Sequence, residues 1–333
     1  MVQKIESQYR EILKQYIQMQ SEQNLYEGQN FSRKLIAENT SPEDVISMHK
    51  AALQELHEEM PAQVWHSFDL LIEMMISYGM ALQERQSLIK RQEELRVEMD
   101  LAANVQETLL KTTLPNVSGL DIGLLSIPLR KMNGDYVYFI SDHKRYAGVA
   151  VADVIGKGLP AALCMSMIKF GMDTFNSPNA RPEEVLSVIN RIVEKSIDDS
   201  MFVSMFYGNY DAETARLTYG SAGHEPAILY RAETNSFFEL HAKGLLLGVA
   251  PNVAYGEYDV QLNENDMVII MTDGVTEGRN EDGFIEREVI FDLIEAKKDQ
   301  PAQTIAQHVF NELERMQNAE LKDDFSIVIC KKI

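Results

Sequence analysis

Cysteine is nearly absent: Cys164 and Cys330 are the only two among 333 residues, far apart and each inside an apolar stretch. That excludes a disulfide framework and any thiolate zinc site, and it suits a reducing, cytoplasmic setting. Long apolar runs are missing too. None approaches the ~18 residues of a membrane span, and the opening MVQKIESQYREILKQY is too polar for a signal peptide. Positive charge is in deficit, 31 lysines and arginines against 51 aspartates and glutamates, for a net charge of −20 and a pI near 4.8. Such a balance disfavours nucleic acid or a membrane surface as partner. It fits a chain whose partners are proteins, or one that gathers cations. The length predicts two domains of about 100–200 residues each.

Proline and glycine are scarce up to about residue 112, and apolar residues recur there at three- and four-residue steps, as in Ile5, Tyr9, Ile12, Leu13 and Tyr16. The spacing predicts helix almost throughout. Ser41-Pro42-Glu43-Asp44 reads as a capped helix start, Met60-Pro61 as a break, and Trp65, Phe68, Leu71, Ile72, Met75 and Ile76 as the next apolar stripe. Residues 1–84 are expected to form a bundle of three or four helices. Their methionines and aromatics serve either as core or as a protein-binding surface. From about Gln83 the helix carries mixed charge, and Leu88, Leu95, Ala102 and Leu109 lie seven apart. This reads as a linker helix, 85–112, that pairs two chains through a heptad seam broken by Arg91 and Glu98, or else as a solvated connector. A homodimer is expected.

After Leu114-Pro115 the pattern changes to short β-rich runs: Leu120–Ile127, Tyr136–Ile140, Tyr146–Ala152, Phe202–Tyr210, Arg216–Ser221, Ala227–Arg231, Met267–Met271 and Phe325–Lys331. Helical pairs fall at about Gly158–Phe175 with Pro182–Ile197, and Glu286–Lys297 with Pro301–Met316. Clustered strands and paired helices argue against βαβ alternation. They predict an α+β domain over 118–333, with antiparallel sheets covered by helices.

Aspartates interrupt these strands. Asp135 opens one after Asn133-Gly134, Asp153 ends Val149–Ala152 and enters a turn, Asp273 ends Met267–Thr272, and Asp323-Asp324 precede the last. Carboxylates converging from strand rims need neutralising, and hard divalent cations do this through oxygen ligands. Asp-Gly after a strand is also a common plain turn, so spacing alone leaves a metal site and a set of turns both open. Other chemistries are disfavoured. There is no His-x-x-x-His pair on a helix, no phosphate-cradling Gly-x-x-x-x-Gly-Lys-[Ser/Thr] loop and no Gly-x-Ser-x-Gly elbow; Gly156-Lys157-Gly158 resembles only the tail of the second.

Gly134-Asp135, Ala152–Gly158, Ala222-Gly223-His224-Glu225-Pro226, Thr272–Glu277 and Asp323-Asp324-Phe325-Ser326 occur in the order found in the PPM (PP2C-type) metal-dependent serine/threonine phosphatases. They resemble the bacterial branch that includes the sporulation phosphatase SpoIIE. Ala102–Gln106 with Leu109-Leu110 resembles the helix leading into that branch's catalytic domain, and the helical N-terminus extends the likeness to its stress-response members. The resemblance implies an α-β-β-α sandwich with two divalent ions, Mn²⁺ or Mg²⁺, between the sheets. It implies catalytic roles for Asp135, Asp153 and Asp273: Asp153 bridging both ions, the Val154 carbonyl and Asp135 on one, Asp273 and Asp323 on the other, with Asp324 the weaker candidate. A water activated by the two ions would attack phosphorus in line, with no phosphoenzyme. The implied substrate is a phosphoserine on an anti-anti-sigma factor of the RsbV type, and the implied activator is a switch kinase of the RsbT type bound to the N-terminal domain.

Three departures stand out. Ile155 replaces a histidine of many eukaryotic relatives, Asn133 stands where much of the branch has glycine, and no arginine is assignable to phosphate. His224 reads as structural rather than as a general acid. Leu159, Leu163, Met167 and Phe170 form one face of the helix after the Asp153 turn, and helix 99–110 is expected nearby. A shift of these helices under partner control would alter metal occupancy. The competing readings are a non-catalytic scaffold and an active phosphatase of another pathway.

Overall fold

The computed structural model describes residues 2–57, 60–129, 132–156, 158–175, 177–196, 201–280, 283–317 and 323–333, with the backbone alone at 2–4 and 155. The chain divides into two compact units, 1–97 and 98–333.

The first unit is helical: α1 (Val2–Gln18), α2 (Glu22–Ala37), α3 (Pro42–Leu56) and the first part of α4 (Ala62–Leu110). Ser41 caps α3 as its sequence predicts, its Oγ accepting from Asp44 N at 3.3 Å. The packed centre is small and aromatic: Tyr9 lies against Phe31 and hydrogen-bonds His49 Nδ1 at 2.7 Å, and His49 lies against Phe68. Much of the apolar content stays outside it. Leu70, Met74 and Tyr78, one turn apart on α4, are all more than half exposed. Every residue from 81 to 99 is exposed, Leu88 and Leu95 included.

The second unit holds two five-stranded sheets whose strands are antiparallel throughout. One runs β1 (Leu120–Ile127), β12 (Phe325–Lys332), β9 (Met267–Met271), β6 (Ala227–Arg231), β7 (Ser236–Leu240). The other runs β2 (Asp135–Ser141), β3 (Tyr146–Ile155), β4 (Phe202–Asp211), β5 (Arg216–Ala222), β8 (Tyr258–Gln261). Helices α5 (Leu159–Asp173) and α6 (Pro182–Ser196) cover the second sheet; α8 (Arg287–Glu295) and α9 (Ala302–Met316) cover the first. A four-residue helix α7 (Asp273–Thr276) and the two-residue strands β10 (Arg279–Asn280) and β11 (Gly283–Phe284) lie between β9 and α8.

Strand alternation sorts the layers. In β3, Val149 and Val151 point into the core between the sheets, whereas Ala150 and Ala152 point under α5 and α6. The result is the expected α+β, α-β-β-α sandwich. The apolar face of α5 that the sequence shows is turned outward: Leu159, Leu163 and Phe170 are 43–58% exposed. Ala161, Met165, Ile168 and Met172 are buried instead, because the opposite stripe meets the β3 alanines.

Candidate metal centre

Asp135 and Asp153 are direct ladder partners on β2 and β3, which puts both carboxylates on one face of the sheet. The strand does not stop at Asp153: pairing with β4 carries β3 on to Ile155, and Asp153 pairs with Ser204 on its other side. Val154 N donates to Gly134 O at 3.2 Å, and because a strand residue's N–H and C=O share a side, the Val154 carbonyl points toward the 133–135 turn. Asn133 shapes that turn, its Oδ1 accepting from Asp135 N at 2.9 Å.

Asp273 opens α7. An added Cβ at Gly274 would lie 1.9 Å from the Asp324 carbonyl oxygen, so only glycine lets α7 sit on the backbone before β12. That contact brings Asp273 beside Asp323. The Asp273 carboxyl is raised, by burial first and then by Asp323, Glu277 and Glu225. Asp324 is otherwise engaged: its two oxygens accept from Leu129 N at 2.7 Å and Gly134 N at 2.5 Å, fastening those two residues to the start of β12.

Two residues given no role in the sequence join the halves. Thr272, fully buried, donates from Oγ1 to Asp135 Oδ2 at 2.7 Å and accepts from Ser326 N at 3.1 Å. It therefore holds Asp135 on one sheet against β9 and β12 on the other. Gln106, near the end of α4, brackets Asn133: Nε2 donates to its carbonyl at 2.8 Å and Oε1 accepts from its N–H at 3.1 Å. A cleft of about 810 Å³ opens between this end of α4 and β1 and β2, lined by Gln106, Leu110, Lys111, Ser126 and Asp135 among others. Thr272 is visible in sequence only as the residue before Asp-Gly; Gln106 is visible as one polar residue of a helix whose partner lies 27 positions away.

The four aspartates thus stand as two pairs, Asp135 with Asp153 and Asp273 with Asp323. Among the described residues no three carboxylate, imidazole or thiol groups converge as one ligand cluster. The donor chemistry of the pairs nevertheless fits a hard cation. Asp135 is 3% exposed, and its carboxyl is raised well above the ordinary range by burial and by Asp153 and Asp324, with the hydroxyls of Thr272 and Ser326 acting the other way. An oxygen-only, charge-crowded pair is what a divalent ion neutralises.

His224 is no surface acid. It is 7% exposed, hydrogen-bonds Ser204 Oγ through Nδ1 at 2.8 Å, and burial pushes its ring down to about 4. Arg287, overlooked in the sequence, reaches Glu225 and Glu239 and is therefore already paired. Lys157 and the side chain of Ile155 lie outside the described residues.

Residues 143–332 match the family model described as Stage II sporulation protein E (SpoIIE), and residues 7–81 match that of the N-terminal domain of phosphoserine phosphatase RsbU. Over 328 residues, 98% of each chain, the sequence is 45% identical to phosphoserine phosphatase RsbU of Bacillus subtilis (strain 168). The SiaA-PP2C domain of Pseudomonas aeruginosa has a TM-score of 0.62 at 18% identity, covering 73% of this chain and 98% of its own. The RsbU and RsbW domains of Rv1364c from Mycobacterium tuberculosis give 0.57 at 21% identity, covering 67% of this chain and 62% of theirs. These two likenesses show the fold. From the two family matches and the full-length relative, the chain belongs to the SpoIIE family of PPM-type phosphoserine phosphatases and carries an RsbU-type N-terminal regulatory domain.

Proposed function

We propose that this phosphatase releases phosphate from the phosphoserine of a small anti-anti-sigma protein of the RsbV type, and so activates a general-stress sigma factor. A switch kinase of the RsbT type, bound to the N-terminal helices, turns it on. The substrate and partner rest on full-length similarity to RsbU, with 98% of both chains covered. The chain divides into a partner-binding domain (1–84), a linker helix (85–112) and the phosphatase domain (118–333). The exposed Leu88 and Leu95 favour a linker that pairs two copies. No described helix is long and apolar enough to cross a membrane, in keeping with a cytoplasmic site of action.

The metal reading is carried by the ladder pair of buried Asp135 with half-buried Asp153, and by the Thr272 tie from Asp135 to β9. We assign Asp135, Asp153 and the Val154 carbonyl to one divalent ion, Asp273 and Asp323 to a second, and Asp153 to both, with Mn²⁺ preferred to Mg²⁺. When bound, the ions supply charge neutralisation and a water ionised at neutral pH. The protein's residues do the positioning. Thr272 orients Asp135, Asp324 holds Leu129 and Gly134, and Gly274 lets Asp273 approach Asp323. His224 is buried and neutral, so the leaving serine oxygen takes its proton from solvent.

Regulation runs through Gln106. A helix gripping the residue two before Asp135 displaces that carboxylate when it moves, and partner binding to the helices upstream provides the movement. All four ligand aspartates are present, which disfavours the scaffold reading. The test is phosphate release from a phosphoserine anti-anti-sigma protein against an unrelated phosphoserine peptide, with and without switch kinase. Kinase-stimulated release from the first alone is expected; equal release from both, indifferent to the kinase, would contradict the assignment.

A further inference from the structure

Residues 223–226, Gly-His-Glu-Pro, form the crossover from β5 in one sheet to β6 in the other. Such a link needs only to span the gap, yet this one is fixed closely where it leaves β5. Gly223 has φ +68°, an added Cβ would lie 2.7 Å from the Leu246 side chain, and the residue bridges Met205 in parallel. His224 N donates to Ser221 Oγ at 3.1 Å, closing the turn on itself.

The two central side chains point to opposite halves of the centre. His224 Nδ1 shares a hydrogen bond with Ser204 Oγ at 2.8 Å, and Ser204 is the ladder partner of Asp153. Its Nε2 makes no well-formed hydrogen bond, although the Met271 backbone, next to Thr272, is close enough to favour a proton on the ring. Glu225 Oε2 accepts from Thr276 Oγ1 at 2.8 Å and from Arg287 Nη2 at 3.3 Å. Thr276 ends the four-residue helix that begins at Asp273. Arg287 is fixed in turn by Glu239 on β7, at 2.9 Å.

We propose that His224 and Glu225 are positioning residues that together set the separation of the two aspartate pairs, His224 by holding the Asp153 strand through Ser204 and Glu225 by holding α7 through Thr276. Neither touches substrate. The assignment rests on the metal reading above and adds residues that the reading does not use. A carboxylate partnered this way also explains why Glu225 is tolerated beside an acidic pair: Arg287 offsets its charge while Thr276 receives its tether.

The test uses the full-length, metal-stripped protein and three readouts: Mn²⁺ affinity by titration calorimetry, melting temperature in EDTA, and the Mn²⁺ needed for half-maximal phosphate release. Glu225→Ala and Ser204→Ala are each expected to weaken Mn²⁺ binding about tenfold, the lower end of what outer partners of metal ligands contribute. The Mn²⁺ requirement should rise by the same factor with kcat at saturation unchanged. Glu225→Gln, which keeps an acceptor for Thr276, should recover most of the affinity lost in Glu225→Ala, and His224→Asn, which keeps a polar group for Ser204, should bind Mn²⁺ nearly as wild type does. Unchanged Mn²⁺ affinity in Glu225→Ala and Ser204→Ala, with only the melting temperature lowered, would overturn the proposal while leaving the metal reading intact. Wild type that binds no Mn²⁺ would overturn both, and Asp153→Asn serves as the control for that distinction.

Discussion

Replacing Asp135 by asparagine should stabilise the metal-free protein. The carboxylate is 3% exposed, directly opposite Asp153, and helped mainly by the hydroxyl of Thr272. Cross-strand neighbours sit about 5 Å apart, and two unit charges at that distance repel by about 3 kcal/mol at an effective dielectric of about 20. Burial, first, and the neighbouring Asp153 and Asp324 raise the Asp135 titration well above the ordinary range, which relieves part of this repulsion in wild type. A folded-state value above the unfolded one means the native protein keeps a proton the unfolded chain releases. Stability therefore drains away as pH climbs from the ordinary carboxylate range through the raised value. Asparagine accepts from Thr272, donates toward Asp153 and carries no charge. In EDTA at neutral pH the phosphatase-domain melting temperature should rise by roughly 3–6 °C, taking about half the repulsion and about 2–4 °C per kcal/mol for a domain of this size. The gain should vanish near pH 4. Added Mn²⁺ should raise the melting temperature of wild type and leave the variant where it was. A variant less stable than wild type in EDTA, or a difference independent of pH, would contradict charge repulsion between Asp135 and Asp153.

Gln106→Leu removes both hydrogen bonds to Asn133 and should cut partner-stimulated phosphate release about tenfold, since they hold the turn carrying Asp135; a steady-state assay at fixed Mn²⁺ reads this, and unchanged release would detach α4 from the site. Asp266, 1% exposed, accepts from Arg231, Ala232 and Asn263 far from the aspartate pairs, so Asp266→Ala should cost about 3–5 kcal/mol in urea unfolding. Leu88→Asp combined with Leu95→Asp places charge on the exposed heptad positions and should shift sedimentation from dimer toward monomer while the isolated phosphatase chemistry persists.

Much of the sandwich was legible because its central strands carry continuous buried runs and its helices carry apolar stripes. Ser236–Leu240 and Tyr258–Gln261 were not, and both are edge strands, half-exposed, with no buried run to announce them. The four residues of α7 are too few to show a helical period. Of the centre, the aspartates were legible by position, but β3 continues past Asp153 because β4 pairs with it, a tertiary effect invisible locally. Asp273-Gly274 looks like an ordinary turn; the glycine is there because the backbone of Asp324 leaves no room for a side chain. Thr272 and Gln106 escaped because their partners lie 137 and 27 residues away, and no spacing rule links residues across a sandwich.

On the proposed reading, the two aspartate pairs would hold the divalent ions needed for phosphoserine hydrolysis. The most direct measurement is Mn²⁺-dependent phosphate release from a phosphoserine anti-anti-sigma protein by wild type, Asp153→Asn and Asp273→Asn, each checked for folding by its melting temperature. Release by wild type that EDTA abolishes and Mn²⁺ restores is expected, and none by either variant. Release that persists in EDTA, or that survives in folded Asp153→Asn, would contradict it.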